Sequence, residues 1–401
     1  MEADDPETQA RLRTLRLPAH MEIIVLPDGL PKTKPKALNV GLALARGSLV
    51  AVYDAEDLPD PDQLRRAAAR FAVAPANLAC LQASLTIYNW QECWLSRQFA
   101  IEYAALFDVL LPALARFRLP LPLGGTSNHF RVGPLREVGA WDAYNVTEDA
   151  DLGLRLARCG YQCGVLASTT REEAPIGFDG WFRQRTRWMK GWMQTYAVHM
   201  RSPGRLWREL GMARFLAAQA IFGGVLASVL VHPLAVALLA RHVVAGDIFH
   251  GVGTAGLLVG GLCAISLGGG YLAGFALALT GLSKRPAMAS LTVDIAAMPF
   301  YWLLMSLAAY RALWQLWRNP HYWEKTEHGI TCCVAELQAG AAGTSLRGGR
   351  RHLETDERDE RRRHPPHRIL PDPQARPRRP IQTTVAKSPE IPLTVSRTLS
   401  M

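Results

Sequence analysis

Residues 48–57 read SLVAVYDAED, and this stretch decides the fold. Ser48–Tyr53 is a short apolar run, too brief for a helix, that stops at the acids of Asp54-Ala55-Glu56-Asp57. A run of this length bounded by breakers reads as a buried strand. On its N-terminal side, Ala37–Ala45 reads as a helix stopped at Gly47, and Met21–Leu26 (MEIIVL) as an earlier strand closed by Pro27-Asp28-Gly29. On its C-terminal side, Pro61–Phe71 reads as a helix with Arg65, Arg66 and Arg70 on its polar side, and Ala79–Leu85 as a third strand. Strands alternating with helices predict an α/β, Rossmann-like domain with a mostly parallel sheet. Ligands of such sheets gather at the carboxyl ends of the strands, where Asp54, Glu56 and Asp57 fall.

Three carboxylates within four residues repel one another and call for a cation. Hard oxygen ligands suit Mg²⁺ or Mn²⁺; an acidic start to the next helix, with Asp60 and Asp62, accounts for them equally well. A second acidic group, Thr147-Glu148-Asp149 with Asp151 beyond, opens an apolar helix over Leu152–Ala157. It reads either as a capped helix start or as the source of a general base. Gly124-Gly125-Thr126-Ser127-Asn128-His129 reads as a turn, or as a loop whose backbone approaches a ligand. Gln184-Arg185-Thr186-Arg187-Trp188, followed by Lys190-Gly191-Trp192, reads as a membrane-interface belt or as a lid meeting a sugar face through Trp188 and a diphosphate through Arg187.

Hydrophobic residues make up 49% of the 401, and they are concentrated. Residues 215–239, 255–282 and 288–317 are three apolar stretches, each longer than the ~20 residues that cross a bilayer. Flanking charge places the soluble part inside, with Lys284-Arg285 on the same side. Asp294 and Pro299 interrupt the third stretch, so an interfacial helix, a kinked hairpin and a re-entrant piece all remain open, with a cytoplasmic tail expected. The tail, residues 330–401, is expected to be disordered: positions 345–401 hold 13 Lys and Arg against 7 Asp and Glu, without a packed face or an aromatic that would stack on a base. No nucleic-acid partner is expected. The seven cysteines form no paired CxxC clusters, which excludes a zinc site or a disulfide framework and fits reduced thiols on the cytoplasmic side. The charged first twenty residues are not a secretory signal.

Taken in order, these groups resemble the processive family-2 glycosyltransferases, which include cellulose, chitin and hyaluronan synthases. That family carries a lysine-containing KxxxLN stretch, a DxD-type motif, a small-residue loop, TED, QxxRW and then membrane helices. The counterparts are Lys34 through Leu38-Asn39, Asp54-Ala55-Glu56, Gly125-Thr126-Ser127, Thr147-Glu148-Asp149 and Gln184-Arg187-Trp188. The resemblance implies a GT-A fold over residues 1–200, a membrane region over 211–317, and an inverting, metal-dependent transfer at the inner (plasma) membrane with the catalytic domain cytoplasmic. The donor implied is a nucleotide sugar, a UDP-sugar by expectation; the acceptor is a glycan or a lipid.

Carried over, Asp149 is the base and Glu148 shapes the acceptor pocket. Asp4, Lys34, Asp54, Gln184, Arg187 and Trp188 bind the nucleotide sugar, with Gln184, Arg187 and Trp188 closing over the donor and the acceptor end. Gly125, Thr126 and Ser127 bind the acceptor, and Glu56, Asp54 and Asp57 hold the metal. Two departures stand out. Glu56 takes a position where Asp is commoner. The family's opening strand has no counterpart before Met21 except Met1–Asp5, where Glu2 or Asp4 matches its first acid, so an N-terminally truncated chain is expected. The alternatives are a single-sugar, glycolipid-forming transferase and a truncated, non-catalytic membrane subunit.

Overall fold

The structure is a computed structural model, and it describes residues 1–246 and 253–319. The expected tail at 330–401 lies outside the described residues.

The predicted strand at 48–53 forms as β1 (Leu49–Val52), and β2 (Leu58–Pro59) follows directly. β3 (Leu78–Ile87), β4 (Asn128–Arg131) and β5 (Gln162–Glu172) complete a sheet of order β1-β4-β3-β5-β2. Only β3 and β5 run parallel; the other three pairings are antiparallel. The α/β architecture is as expected, and the sheet is mixed rather than mostly parallel. The difference has two causes. Asn128 and His129 read as the end of a polar turn, yet with Phe130 and Arg131 they insert as a strand between β1 and β3, antiparallel to both. Met21–Leu26, expected as a strand, forms no part of this sheet: Met1 donates to the Ile24 carbonyl at 2.9 Å, and the Leu26 amide donates to the Met1 carbonyl at 2.7 Å.

Helices flank the sheet. α1 (Pro6–Arg13) is capped by the Asp5 carboxylate, which accepts from the Thr8 amide. α2 (Lys34–Leu44) precedes β1, and α3 (Gln63–Val73) covers one sheet face with Ala67 and Phe71 against Leu78, Leu81, Ala83 and Leu166. α4 (Trp94–Ala105) runs through a π-turn, Leu106–Leu110, into α5 (Leu111–Arg116). α6 (Val132–Glu137), α7 (Glu148–Arg158) and α8 (Phe178–His199) follow. α7 begins one residue after Thr147, as the capping pattern predicts, although the Thr147 hydroxyl makes no cap bond.

The apolar part comprises α9 (Pro203–Ala218), a π-turn Gln219–Gly224, α10 (Val225–Ala245) and α11 (Thr254–Ser283), then a 3₁₀ segment Pro286–Ala297 and α12 (Met298–Arg318). Four helical stretches are long and apolar enough to cross a membrane: Trp94–Arg116, Pro203–Ala245, Ala264–Ser283 and Pro286–Arg318. Trp94–Arg116 adds to the three expected. Its apolarity has a second use, since Leu95, Phe99, Ala100, Ile101 and Ala104 are buried in the core. A Cβ at Gly281 of α11 would fall 2.5 Å from the Ala104 carbonyl carbon, so the two backbones touch there.

The interrupted third stretch is a 3₁₀ segment followed by one helix. Asp294 holds the segment onto α4: its carboxylate accepts from Arg97 Nε at 2.9 Å, and its carbonyl from Gln98 Nε2 at 2.8 Å. Lys284 and Arg285, read as a charged loop, grip the sheet domain instead. Arg285 pairs with Asp108 at 2.5 Å and donates to the Leu85 carbonyl at 2.8 Å and to Thr86 Oγ1 at 2.9 Å.

Candidate active site

The end of β1 and the start of three neighbouring segments converge. Past Val52 the chain folds into a tight turn: the Asp57 amide donates to the Asp54 carbonyl, and the Asp54 amide donates to Asp57 Oδ2 at 2.9 Å. The Thr126 hydroxyl also donates to Asp57. Asp57 Oδ2 thereby holds the turn that carries Asp54 and Glu56.

The loop 124–127 is stitched to both adjacent strands. The Ser127 amide donates to the Val52 carbonyl at 2.7 Å, and the Ala83 amide to the Ser127 carbonyl at 3.0 Å. Gln82, fully buried on β3, clamps the loop: it accepts from the Gly124 amide at 2.8 Å and donates to the Thr126 carbonyl at 2.9 Å. The loop presents Gly125 to two charged groups. Lys34 Nζ, on the first residue of α2, donates to the Gly125 carbonyl at 2.8 Å and to Asp54. A Cβ at Gly125 would lie 3.3 Å from Asp149 Oδ2 and 3.8 Å from Lys34 Nζ. Glycine therefore leaves the space in which Lys34, Asp54 and Asp149 meet.

Asp149 sits in the first turn of α7, where its Oδ1 accepts from the Ala150 amide at 2.7 Å. The first turn also carries Glu148 and Asp151, the sign that a helix N-terminus favours. Burial pushes the Asp149 carboxyl up to about 6, against the pull of that amide and of Lys34. Burial first, and the Asp149 charge second, push Glu148 up to about 8. Burial also lifts Asp57 to about 6, and holds Glu172 well above the usual range with help from Asp57 and Asp54. Burial disfavours the Lys34 ammonium, yet Asp54, Glu148 and Asp149 outweigh it and its pKa rises. The two neighbouring carboxyls both hold a proton more tightly than free ones do, Glu148 the more so, with the half-buried Lys34 ammonium beside them.

Gln184, Arg187 and Trp188 lie on α8, a regular helix. α8 packs directly on the start of α7: a Cβ at Gly191 would fall 2.4 Å from Thr147 Oγ1. Gln184 is 5% exposed, and its Oε1 has no hydrogen-bond partner within the protein. Trp188 is half-buried against Phe99, with the Arg185 guanidinium 4.6 Å over its ring.

Two predicted residues are engaged elsewhere. Ser127 is fully buried at φ +56°, with its hydroxyl donating to Thr170 Oγ1 at 2.6 Å, beneath the loop rather than on its open side. Asp4 pairs with Lys32 on the surface. Two residues that motif reading missed, Gln82 and Glu172, belong to the arrangement. Gln82 was visible as the one amide side chain inside the largely apolar run LACLQASL. Glu172 closes β5, a strand with no strong apolar pattern. Asp151 accepts from His199 Nε2 at 2.9 Å and from Arg155 Nε at 2.6 Å, tying α7 to the end of α8.

The chain shares 27% identity over 173 residues with the probable glycosyltransferase YdaM of Bacillus subtilis (strain 168), covering 42% of this chain and 40% of that protein. It shares 30% identity over 143 residues with glucomannan 4-beta-mannosyltransferase 1 of Oryza sativa subsp. japonica, covering 35% and 27%. The matched region thus spans less than half the length of either relative. Among solved structures, mannosyltransferase PcManGT from Pyrobaculum calidifontis, in complex with GDP-Man and Mn²⁺, is similar over 74% of this chain and 70% of its own, at 19% identity and a TM-score of 0.46. The family model described as glycosyl transferase family group 2 matches residues 49–316, from β1 through α12. That match spans the sheet domain and the apolar helices that follow it, well over half of the chain, and shows that this chain belongs to the family-2 glycosyltransferases.

Proposed function

We propose that the chain is an inverting glycosyltransferase that moves a hexose from a nucleoside-diphosphate sugar to a glycan acceptor at a membrane. The observation that carries this reading is the meeting of Asp149, Lys34 and Asp54 under Gly125. Inversion needs a base on the acceptor side and charge neutralisation on the leaving-group side. Asp149, with a carboxyl near 6, is mostly ionised at pH 7 and removes the proton of the attacking hydroxyl. Glu148 keeps its proton at that pH and donates a hydrogen bond to an acceptor oxygen. The acceptor oxygen attacks the anomeric carbon as the bond to the diphosphate breaks, and the diphosphate leaves with the electron pair. Lys34 lies on the donor side and meets the leaving charge. The unpaired Gln184 Oε1 accepts from a sugar hydroxyl, which relieves a buried orphan that costs about 1–3 kcal/mol, and Trp188 offers an apolar face to the terminal sugar of the acceptor.

A divalent cation fits this donor set. Among the described residues no three metal-type side chains cluster, but a hard cation beside a diphosphate takes only one or two protein carboxylates. Glu56 and Asp54 would hold it, and Mg²⁺ or Mn²⁺ would offset the charge of the departing nucleotide. Carboxylates outnumber the single ammonium here, which favours such a counter-ion.

The donor is expected to be a UDP-sugar; the mannosyltransferase name of the Oryza sativa relative adds a nucleoside-diphosphate mannose as the alternative. Membranes containing the full chain, incubated with labelled UDP-glucose, UDP-N-acetylglucosamine and GDP-mannose, will incorporate label from one of them. Sizing the product separates a polymer from a glycolipid. A folded, inserted chain that incorporates none of the three, and releases nucleotide from none, contradicts the reading and favours a non-catalytic subunit.

A further inference from the structure

Arg185 occupies an unassigned position between Gln184 and Arg187, and its side chain is 1% exposed. Its guanidinium pairs with Glu102 of α4: Nη1 donates to Oε1 at 2.8 Å, and Nη2 lies 2.7 Å from Oε2 as an ion contact without hydrogen-bond geometry. It lies over two aromatic rings, Phe99 at 4.1 Å and Trp188 at 4.6 Å. Glu102 is held in turn by α12: the Tyr301 hydroxyl donates to Glu102 Oε2 at 2.8 Å, and Trp181 Nε1 donates to the Tyr301 oxygen at 3.4 Å. Farther along α12, Arg311 Nη1 donates to Thr186 Oγ1 at 3.2 Å and lies 5.4 Å over the Phe182 ring. One apolar helix therefore grips α8 at two places on either side of Arg185.

We infer that Arg185 is a positioning residue that fixes the plane of Trp188, and that Tyr301 on α12 completes its hold through Glu102. The inference rests on the proposed glycosyl transfer, in which Trp188 meets the acceptor sugar. The physical argument is geometric. A guanidinium is flat, and Glu102 holds it by the Nη1 hydrogen bond and the Nη2 ion contact, so the cation lying over Trp188 orients the ring beneath it. An ammonium at the same place keeps the charge and loses both the paired contact and the flat face. The Trp188 ring thereby inherits its orientation from a carboxylate on α4 and a hydroxyl on α12. The acceptor-facing tryptophan is tied to a helix long and apolar enough to cross a membrane.

The test uses the full chain with its active donor, measuring sugar transfer against acceptor concentration and nucleotide release without acceptor. Tyr301→Phe removes a single hydroxyl and is expected to raise the acceptor KM about threefold to tenfold, with acceptor-free nucleotide release and donor KM unchanged. Arg185→Lys is expected to raise the acceptor KM further than Tyr301→Phe does. Two results overturn the inference: acceptor KM values within twofold of wild type in both variants, or transfer and nucleotide release falling in equal proportion, which marks a merely structural role. Because Tyr301→Phe is nearly isosteric, it decides the matter even where Arg185→Lys fails to fold. A wild type that neither transfers nor releases nucleotide from any donor overturns the glycosyltransferase reading, and this inference with it.

Discussion

Asp149 and Glu148 are consecutive carboxyls, yet their surroundings push them to different values, about 6 and about 8. Transfer should therefore fall as pH drops through about 6, where Asp149 takes up a proton, and fall again above about 8, where Glu148 loses its own. A pH–rate profile of kcat checks both limbs; a profile flat from pH 5 to 9 contradicts the assignment. The same shift has a consequence for stability. Glu148 is raised above its unfolded value, so the folded state binds the proton more tightly, and stability is lost as pH rises toward 8. Glu148→Gln should raise Tm relative to wild type at pH 8, with the gain shrinking toward pH 5; thermal unfolding at the two pH values decides it. Asp149, Lys34 and Asp54 were legible in the sequence because their order matched a known motif series. That Asp57 serves the turn was not legible, since three acids in a row look alike until the hydroxyl of Thr126 chooses among them.

The elements meet through small residues and buried amides that a motif search passes over. Gly191 lets α8 approach Thr147, and Gly191→Ala places a methyl in contact with that side chain. Overpacking of this kind costs about 1–3 kcal/mol. It should separate α8 from α7 and lower kcat at least tenfold, measured beside Tm to show that the variant still folds. Gln82→Ala leaves the Gly124 amide without its partner and the Thr126 carbonyl with only the longer bond from Asn128 Nδ2, at 3.3 Å. The expected cost is about 1–3 kcal/mol, with weakened transfer as the loop loosens; a variant equal to wild type in both respects removes the clamp from the account. The helices at 34–44, 63–73 and 148–158 were readable from periodicity and caps. Strand β4 was not, because Asn128 and His129 are polar and turn-like in sequence, and they become strand residues only when β1 and β3 supply partners on both sides.

At the scale of the whole molecule, the apolar helices are fastened to the sheet domain by polar contacts: Arg285 with Asp108, Asp294 with Arg97, and Tyr301 with Glu102. Hydropathy located three of the apolar stretches but assigned their charges to membrane topology, because a contact between residues 97 and 294 leaves no trace in a local window. Metal use belongs to this scale too. Chelation with EDTA should abolish transfer and Mg²⁺ or Mn²⁺ should restore it, with Glu56→Ala requiring more metal; transfer indifferent to EDTA contradicts a metal at Glu56. The central claim is that Asp149 is the base of a sugar transfer. It is tested most directly by comparing label incorporation from the active donor in membranes carrying wild-type chain and Asp149→Asn at matched amounts of folded protein. The account predicts a loss of about 10²–10⁴-fold in the variant with donor binding retained. Equal incorporation by both would contradict it.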